Sequence, residues 1–190
     1  MSVTIYFLRH GEATHNVAAA QQGNAAYDDP AHMDAKLTDT GYEQAHNVAL
    51  ESHQLSAIYC SPSRRCRETL LMAVNESRYR HVLLDDRVME PQWHICNRRS
   101  ERSDIVRDIG DMPWDLHGIS DTNPYSGSES YEELCRRIVA FTDQVIAFSK
   151  EANHSTILIV SHHVWIRTWF ALYQQKQVSP ANAQVLVATI

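Results

Sequence analysis

The run Phe7-Leu8-Arg9-His10-Gly11-Glu12 constrains this chain more than any other stretch. It closes the apolar segment Val3-Thr4-Ile5-Tyr6-Phe7-Leu8, whose alternation and β-branching predict a buried strand, and Gly11 then breaks the extended path. An arginine and a histidine therefore stand side by side at the carboxyl end of a strand. In open α/β sheets that end is where ligands bind, because side chains leaving neighbouring strands converge in the crevice beyond them. An imidazole placed there can be base, ligand or nucleophile, and an adjoining guanidinium can grip a phosphate bidentately. The same pair also fits a solvated strand end, so the rest of the chain has to decide.

At 190 residues there is material for one well-buried core and not for two comfortable domains. A net charge of −6 argues against a broad nucleic-acid or anionic-membrane surface, since both draw on an excess of Lys and Arg. No apolar run approaches membrane-spanning length, and the first residues lack the basic-then-apolar layout of a secretion signal, so a cytoplasmic location is expected. The four cysteines, Cys60, Cys66, Cys96 and Cys135, form no CxxC pair and read as reduced packing residues.

Strands and helices alternate along the chain. Ala13 to Gln22 reads as helix ended by Gly23, and 27–34 as a polar loop. Thr38 is a plausible N-cap for a helix reaching about His53; Gly41 in its first turn costs helix propensity and implies a close approach to something. Ala57-Ile58-Tyr59-Cys60 is a compact strand, after which Ser61 and Pro62 read as N-cap and first position of a helix. Arg64, Arg65 and Arg67 crowd its first turn, with Arg64 and Arg67 assigned to a solvated face. His81 to Leu84 predicts a third strand, and Ser100 to Gly127 reads as an insertion that lids or walls a site. Tyr131 to Lys150 is a long amphipathic helix, Thr156 to Val160 a buried strand, Val164 to Gln174 a helix, and Ala183 to Thr189 a last strand.

Arg9-His10-Gly11-Glu12 with Asn16, Leu37-Thr38-Asp39-Thr40-Gly41-Tyr42-Glu43-Gln44-Ala45, Ser61-Pro62-Ser63-Arg64-Arg65-Cys66-Arg67-Glu68-Thr69 and Val160-Ser161-His162 come in that order and span most of the chain. Together they resemble the histidine phosphatase superfamily, which includes the phosphoglycerate mutases and many phosphatases. His94 to Arg99 further resembles a segment of plant and fungal mutase-like members, with Asn97 where an Asp is usual. The resemblance implies one α/β domain over residues 1–190, a three-layer sandwich whose mostly parallel central sheet is flanked by helices, with a lid at about 97–127.

It also implies chemistry. Phosphate-ester cleavage requires a nucleophile, cations on the equatorial oxygens, and an acid for the leaving oxygen. The resemblance assigns His10 as a nucleophile that passes through a phosphohistidine, and physics agrees, since a neutral imidazole is nucleophilic once its other nitrogen donates a hydrogen bond. Arg9 and Arg65 would clamp the phosphoryl group and His162 would add a donor. Glu90 is the candidate acid, kept protonated by partial desolvation; Glu12 is the alternative, more simply read as ordering the Arg-His turn. Asn16, Gly11 and His163 are candidate substrate contacts, His163 standing where the family usually has Gly. No metal and no cofactor is called for, and the expected partner is a phosphate ester or phosphorylated substrate.

Three other readings compete with metal-independent phosphatase action. Phosphoglycerate mutase-type transfer would share the phosphohistidine and differ in what attacks it. A phosphate-recognition module would keep the pocket without turnover. A His-rich metal hydrolase would show ligand spacings such as H-E-x-x-H, which the chain lacks.

Overall fold

The computed structural model describes residues 2–48, 50, 55–74, 82–125, 128–152 and 156–190. Six strands, β1 (Thr4–Arg9), β2 (Ala57–Cys60), β3 (Val82–Asp85), β4 (Asp115–Gly118), β5 (Thr156–Ser161) and β6 (Val185–Thr189), form one sheet in the order β4-β3-β2-β5-β1-β6. Every neighbouring pair is parallel except β1 with β6. The helices are α1 (Thr14–Gln22), α2 (Asp39–His46), α3 (Arg64–Ala73), α4 (Arg102–Ile109), α5 (Tyr131–Glu151) and α6 (His163–Gln174).

The period-two alternation of the central strands sorts the core into two layers. Ile5, Phe7, Ile157 and Ile159 face α5 and α6, where Phe141, Val145, Trp165 and Trp169 bury them. Leu8, Leu158 and Val160 face the other way, onto Cys66 and Leu70 of α3 and Ile105 and Ile109 of α4. Phe7 sits at the middle of the first layer, its ring centroid 4.4 Å from that of Trp169 and 5.2 Å from that of Phe170. The three-layer α/β architecture is as the sequence implies. Among the described residues no helix is long and apolar enough to cross a membrane.

Strand order places the chemistry. β1 lies between β5 and β6, and β5 between β1 and β2, so Arg9 pairs with Ser161 and Cys60 with Val160. Backbone bonds His10 N to Ser161 O (3.0 Å) and Ser61 N to Val160 O (3.0 Å) extend the ladders one residue past the sheet. His10, Ser61 and His162 thereby leave three adjacent strands at one edge.

The turn after β1 is closed by backbone contact. Gly11 and Gly41 meet face to face: a Cβ on Gly11 would come within 2.5 Å of Gly41 O, and a Cβ on Gly41 would overlap Glu12 O. Thr38 caps α2, its Oγ1 accepting from Gly41 N (3.0 Å) and donating to Glu12 Oε1 (2.7 Å), and Thr38 N donates to Glu12 O (3.0 Å). This is the close approach that a glycine in a helix's first turn implies, and it gives Glu12 the ordering role. Gly41→Ala should cost at least about 3 kcal/mol because the clash is with rigid backbone, which for a chain of this size lowers the melting temperature by roughly 10 °C. Thermal unfolding of the variant beside the native protein checks it.

Several expectations need correction. The helix after β2 begins at Arg64 with Ser63 at its N-cap, not at Pro62 behind Ser61. Asp34 Oδ1 accepts from Arg64 N (2.7 Å), so a distant loop supplies the cap, and Ser61 is free to turn its hydroxyl toward the strand ends. Arg64 is solvated and pairs with Glu68, but Arg67 is buried, donating from Nε to Pro62 O (2.9 Å) and from Nη2 to Asp108 (3.2 Å). The segment from Ser100, read as an insertion that lids or walls a site, is regular in its described part, 100–125: it contains α4 and the edge strand β4, and Arg99, paired with Asp86, ties it down through Ser120 O and Thr122 O. α2 ends at His46, and the rest of the helix expected to about His53 falls partly on 49 and 51–54, outside the described residues; so does His81.

Candidate active site

A cavity of about 380 Å³ opens beyond the carboxyl ends of β1 and β5. That is within the range of small-ligand sites, about 300–1,000 Å³. His10, Arg65 and Glu90, all buried, form its floor with the half-buried Arg9; His15 and Asn16 stand beside them, and His163 stands on its wall. Six of the eight site residues predicted from sequence, Arg9, His10, Asn16, Arg65, Glu90 and His163, are thus brought to one cavity; His162 and Gly11 are not among its lining residues.

His10 Nδ1 lies 2.7 Å from Gly11 O. A carbonyl can only accept, so Nδ1 carries the proton and Nε2 keeps a free lone pair. Burial, then the charges of Arg65 and Arg9 and the neighbouring His162 and His15, hold the His10 pKa well below its ordinary value, so the ring is neutral at neutral pH. Gly11 therefore serves the site through its backbone: its carbonyl fixes the His10 tautomer, and its N–H donates to Thr69 Oγ1 (3.0 Å).

Two guanidinium groups share the cavity with that imidazole. Arg9 donates from Nη1 to Pro180 O (2.9 Å). Arg65 donates from Nη1 to Cys96 O (2.9 Å) and from Nη2 to Asn97 Oδ1 (3.3 Å) and His162 Nδ1 (3.2 Å). The Nε atoms of both arginines are buried without a hydrogen-bond partner among the described residues. A buried cationic donor left unpaired is expensive, and an anion bound between the two would satisfy both.

His15 was not singled out by the sequence, and its only signal there is its place beside Asn16. Asn16 Oδ1 accepts from Ala13 N (3.0 Å), so its amide Nδ2 donates to His15 Nε2 (3.2 Å), which leaves the proton on His15 Nδ1. That N–H is a third buried donor lacking a partner. Burial first, then the charges of Arg65 and Arg9, lowers the His15 pKa to about 2.

His162 is entirely buried, and both ring nitrogens are engaged. Nδ1 accepts from Arg65, which puts the proton on Nε2, 2.8 Å from Ser61 Oγ. In this structure it steadies Arg65 from behind instead of lining the cavity, because the Ser61 and Cys66 side chains close around it. Glu90 reaches the N-terminus of α6, where its two oxygens accept from Val164 N (3.0 Å) and Trp165 N (3.1 Å). His163, first residue of α6, has its Nδ1 3.3 Å from Pro180 O, the carbonyl it shares with Arg9. The thiols are inert packing: burial pushes Cys66 up to about 12 and Cys96 up to about 11.

Fold and site define an α/β protein with a pocket lined by arginine and histidine at the ends of adjacent parallel strands. The family model of the histidine phosphatase superfamily (branch 1) matches residues 5–186, and the chain belongs to that superfamily. It is similar to a broad-specificity phosphatase of Saccharomyces cerevisiae, 21% identical over 173 residues that cover 87% of this chain and 67% of that one. It is also similar to a "probable phosphatase" of Schizosaccharomyces pombe, 26% identical over 169 residues, 86% of this chain and 54% of that one. The chain thus spans between about half and two thirds of those curated relatives. Among solved structures, a phosphoglycerate mutase from Bacillus anthracis shares the fold with a TM-score of 0.71 at 23% identity, over 100% of this chain and 88% of that one.

Proposed function

We propose that this protein hydrolyses phosphate monoesters through a phosphohistidine on His10, without a metal. The observation that carries the proposal is the pair of buried, unpartnered Nε–H groups of Arg9 and Arg65 beside a neutral His10 whose Nδ1 is held by Gly11 O. The two guanidinium groups hold the equatorial phosphoryl oxygens while the Nε2 lone pair forms a bond to phosphorus. The bond from phosphorus to the ester oxygen breaks, and that oxygen leaves with a proton for which Glu90 is the lining carboxyl group. Water then attacks the phosphohistidine and gives up a proton to the Glu90 carboxylate, the bond from phosphorus to Nε2 breaks, inorganic phosphate departs, and His10 returns to the neutral imidazole. Similarity to the broad-specificity phosphatase of Saccharomyces cerevisiae supports water as the final acceptor.

The test is release of phosphate from an aryl phosphate with EDTA present, together with trapping of the phosphoenzyme. Release that survives chelation, and a bound phosphoryl group stable in alkali and labile in acid, is the expected result. Release that needs an added divalent metal would overturn the reading. Transfer of the trapped group to a second hydroxyl without free phosphate would replace it with mutase-type action.

A further inference from the structure

The proposed chemistry uses the floor of the cavity and leaves its rim unexplained. That rim is aromatic. Tyr27, Trp93 and His94 line it, with Pro91 and Val164. Trp93 leaves 40% of its surface exposed, yet its indole is fixed, Nε1 donating to Glu129 O (2.7 Å) while Arg137 holds the Glu129 carboxylate (2.9 Å). His94 is fixed from outside, with Nδ1 3.1 Å from Asp28 Oδ2, and Asp28 Oδ1 also accepts from Ile95 N (3.2 Å). Rings run stepwise from nucleophile to rim: His10 to His15 at 5.8 Å, His15 to Tyr27 at 6.0 Å, and Tyr27 to His94 at 5.4 Å between centroids.

The charge distribution points the same way. Among the described lining residues the only arginines are Arg9 and Arg65, both at the floor, and there is no lysine. A second anionic group on a bound ester would meet no cation at the rim and would face the Asp28 carboxylate behind His94. An uncharged planar group would instead find the Trp93 and His94 rings already held in place, with little side-chain entropy left for them to lose, and Tyr27 between His15 and His94.

We propose that Tyr27, Trp93 and His94 form a stacking subsite for an aromatic leaving group, so that the preferred substrates are aryl or arylalkyl monophosphates with no second anionic group. The proposal rests on the phosphatase reading of the floor, but the rim can be tested without turnover. Calorimetry at pH 7.5 would compare three non-hydrolysable probes: 2-phenylethylphosphonate, propylphosphonate and 2-carboxyethylphosphonate. The first should bind about tenfold more tightly than the second, and the third more weakly than either. In Tyr27→Ala/Trp93→Ala the preference for phenylethyl over propyl should fall below about threefold. Should that pair not fold, Trp93→Leu and Tyr27→Leu, each tested alone, remove the ring and keep apolar bulk. Equal binding of phenylethyl and propyl probes, a preference that the variants leave unmoved, or tightest binding of the carboxyethyl probe would each overturn the proposal. Turnover separates it from the reading beneath it. An aromatic binding preference with no phosphate released from 2-phenylethyl phosphate removes the phosphatase reading and keeps the rim, whereas equal kcat/KM for the 2-phenylethyl and propyl esters removes the rim and keeps the phosphatase.

Discussion

His10→Ala should abolish phosphate release, with kcat falling by about 10⁴-fold or more, because no neighbouring group can take over the bond to phosphorus. His162 is the other strand-end imidazole, with its ring centroid 5.2 Å from that of His10, but its two nitrogens are committed to Arg65 and Ser61. His15 presents a proton on Nδ1, and its Nε2 accepts from Asn16. The buried thiols stay protonated at neutral pH. Among the described lining residues His10 combines a free lone pair with a place on the floor beside Arg9 and Arg65, whereas His163, whose Nδ1 faces Pro180 O, stands on the wall. The variant also vacates an imidazole-sized space, so millimolar imidazole in solution should restore a measurable part of the turnover while leaving the native enzyme unaffected. Turnover of the variant within tenfold of native would remove His10 from the mechanism. Complete loss without rescue would be weaker support than loss with rescue, since only rescue shows that the missing ring is what matters.

The parts of this site legible in the sequence are those whose position follows from local rules. Arg9 and His10 end a strand, His162 ends another, and Arg65 lies in a helix's first turn; each rests on strand pattern and glycine or proline punctuation. What the sequence concealed depends on partners far along the chain. Ser61 followed by Pro62 has the composition of a helix start, yet Asp34, 30 residues before Arg64, caps α3 and frees Ser61 to meet His162. Arg67 carries no local sign of burial, because Asp108 that receives it comes 41 residues later. α4 did leave a signal, Ile105 and Ile109 four residues apart, weak beside the prolines and glycines around it. The cavity's rim is drawn from Tyr27, in a short 3-10 helix (Asn24–Asp28) where the sequence reads as polar loop, and from Pro91 to Asn97, and neither segment has a periodicity long enough to read. Non-regular segments are positioned by tertiary contacts, and those cannot be read from spacing.

Acid should unfold this protein from an unusually high pH, because the site keeps three imidazoles buried and neutral. Burial is the first cause for His10, His15 and His162 alike, and the Arg65 charge the second, so the native state resists their protonation. In the unfolded chain the same rings take up protons near pH 6.5. Their contribution to stability is therefore complete above about pH 6.5 and is lost as the pH falls below it, since the unfolded state then binds more protons. Each resisting imidazole can add up to about 1.4 kcal/mol per pH unit to that loss, so three acting together consume a typical total stability of roughly 5–15 kcal/mol within a few units. Urea unfolding at pH 7.5, 6.5, 5.5 and 4.5 should show stability level between the first two and falling steeply through the others. His15→Gln removes one of the three titrations and should flatten that slope by about a third, whatever it does to stability at pH 7.5. Inorganic phosphate should flatten it as well, because an anion between Arg9 and Arg65 offsets the charges that oppose protonation of His10. Stability that stays level down to pH 4.5 would mean that these rings take up protons in the folded state as readily as in the unfolded chain, and the argument that burial and the Arg65 charge keep them neutral in acid would have to be abandoned.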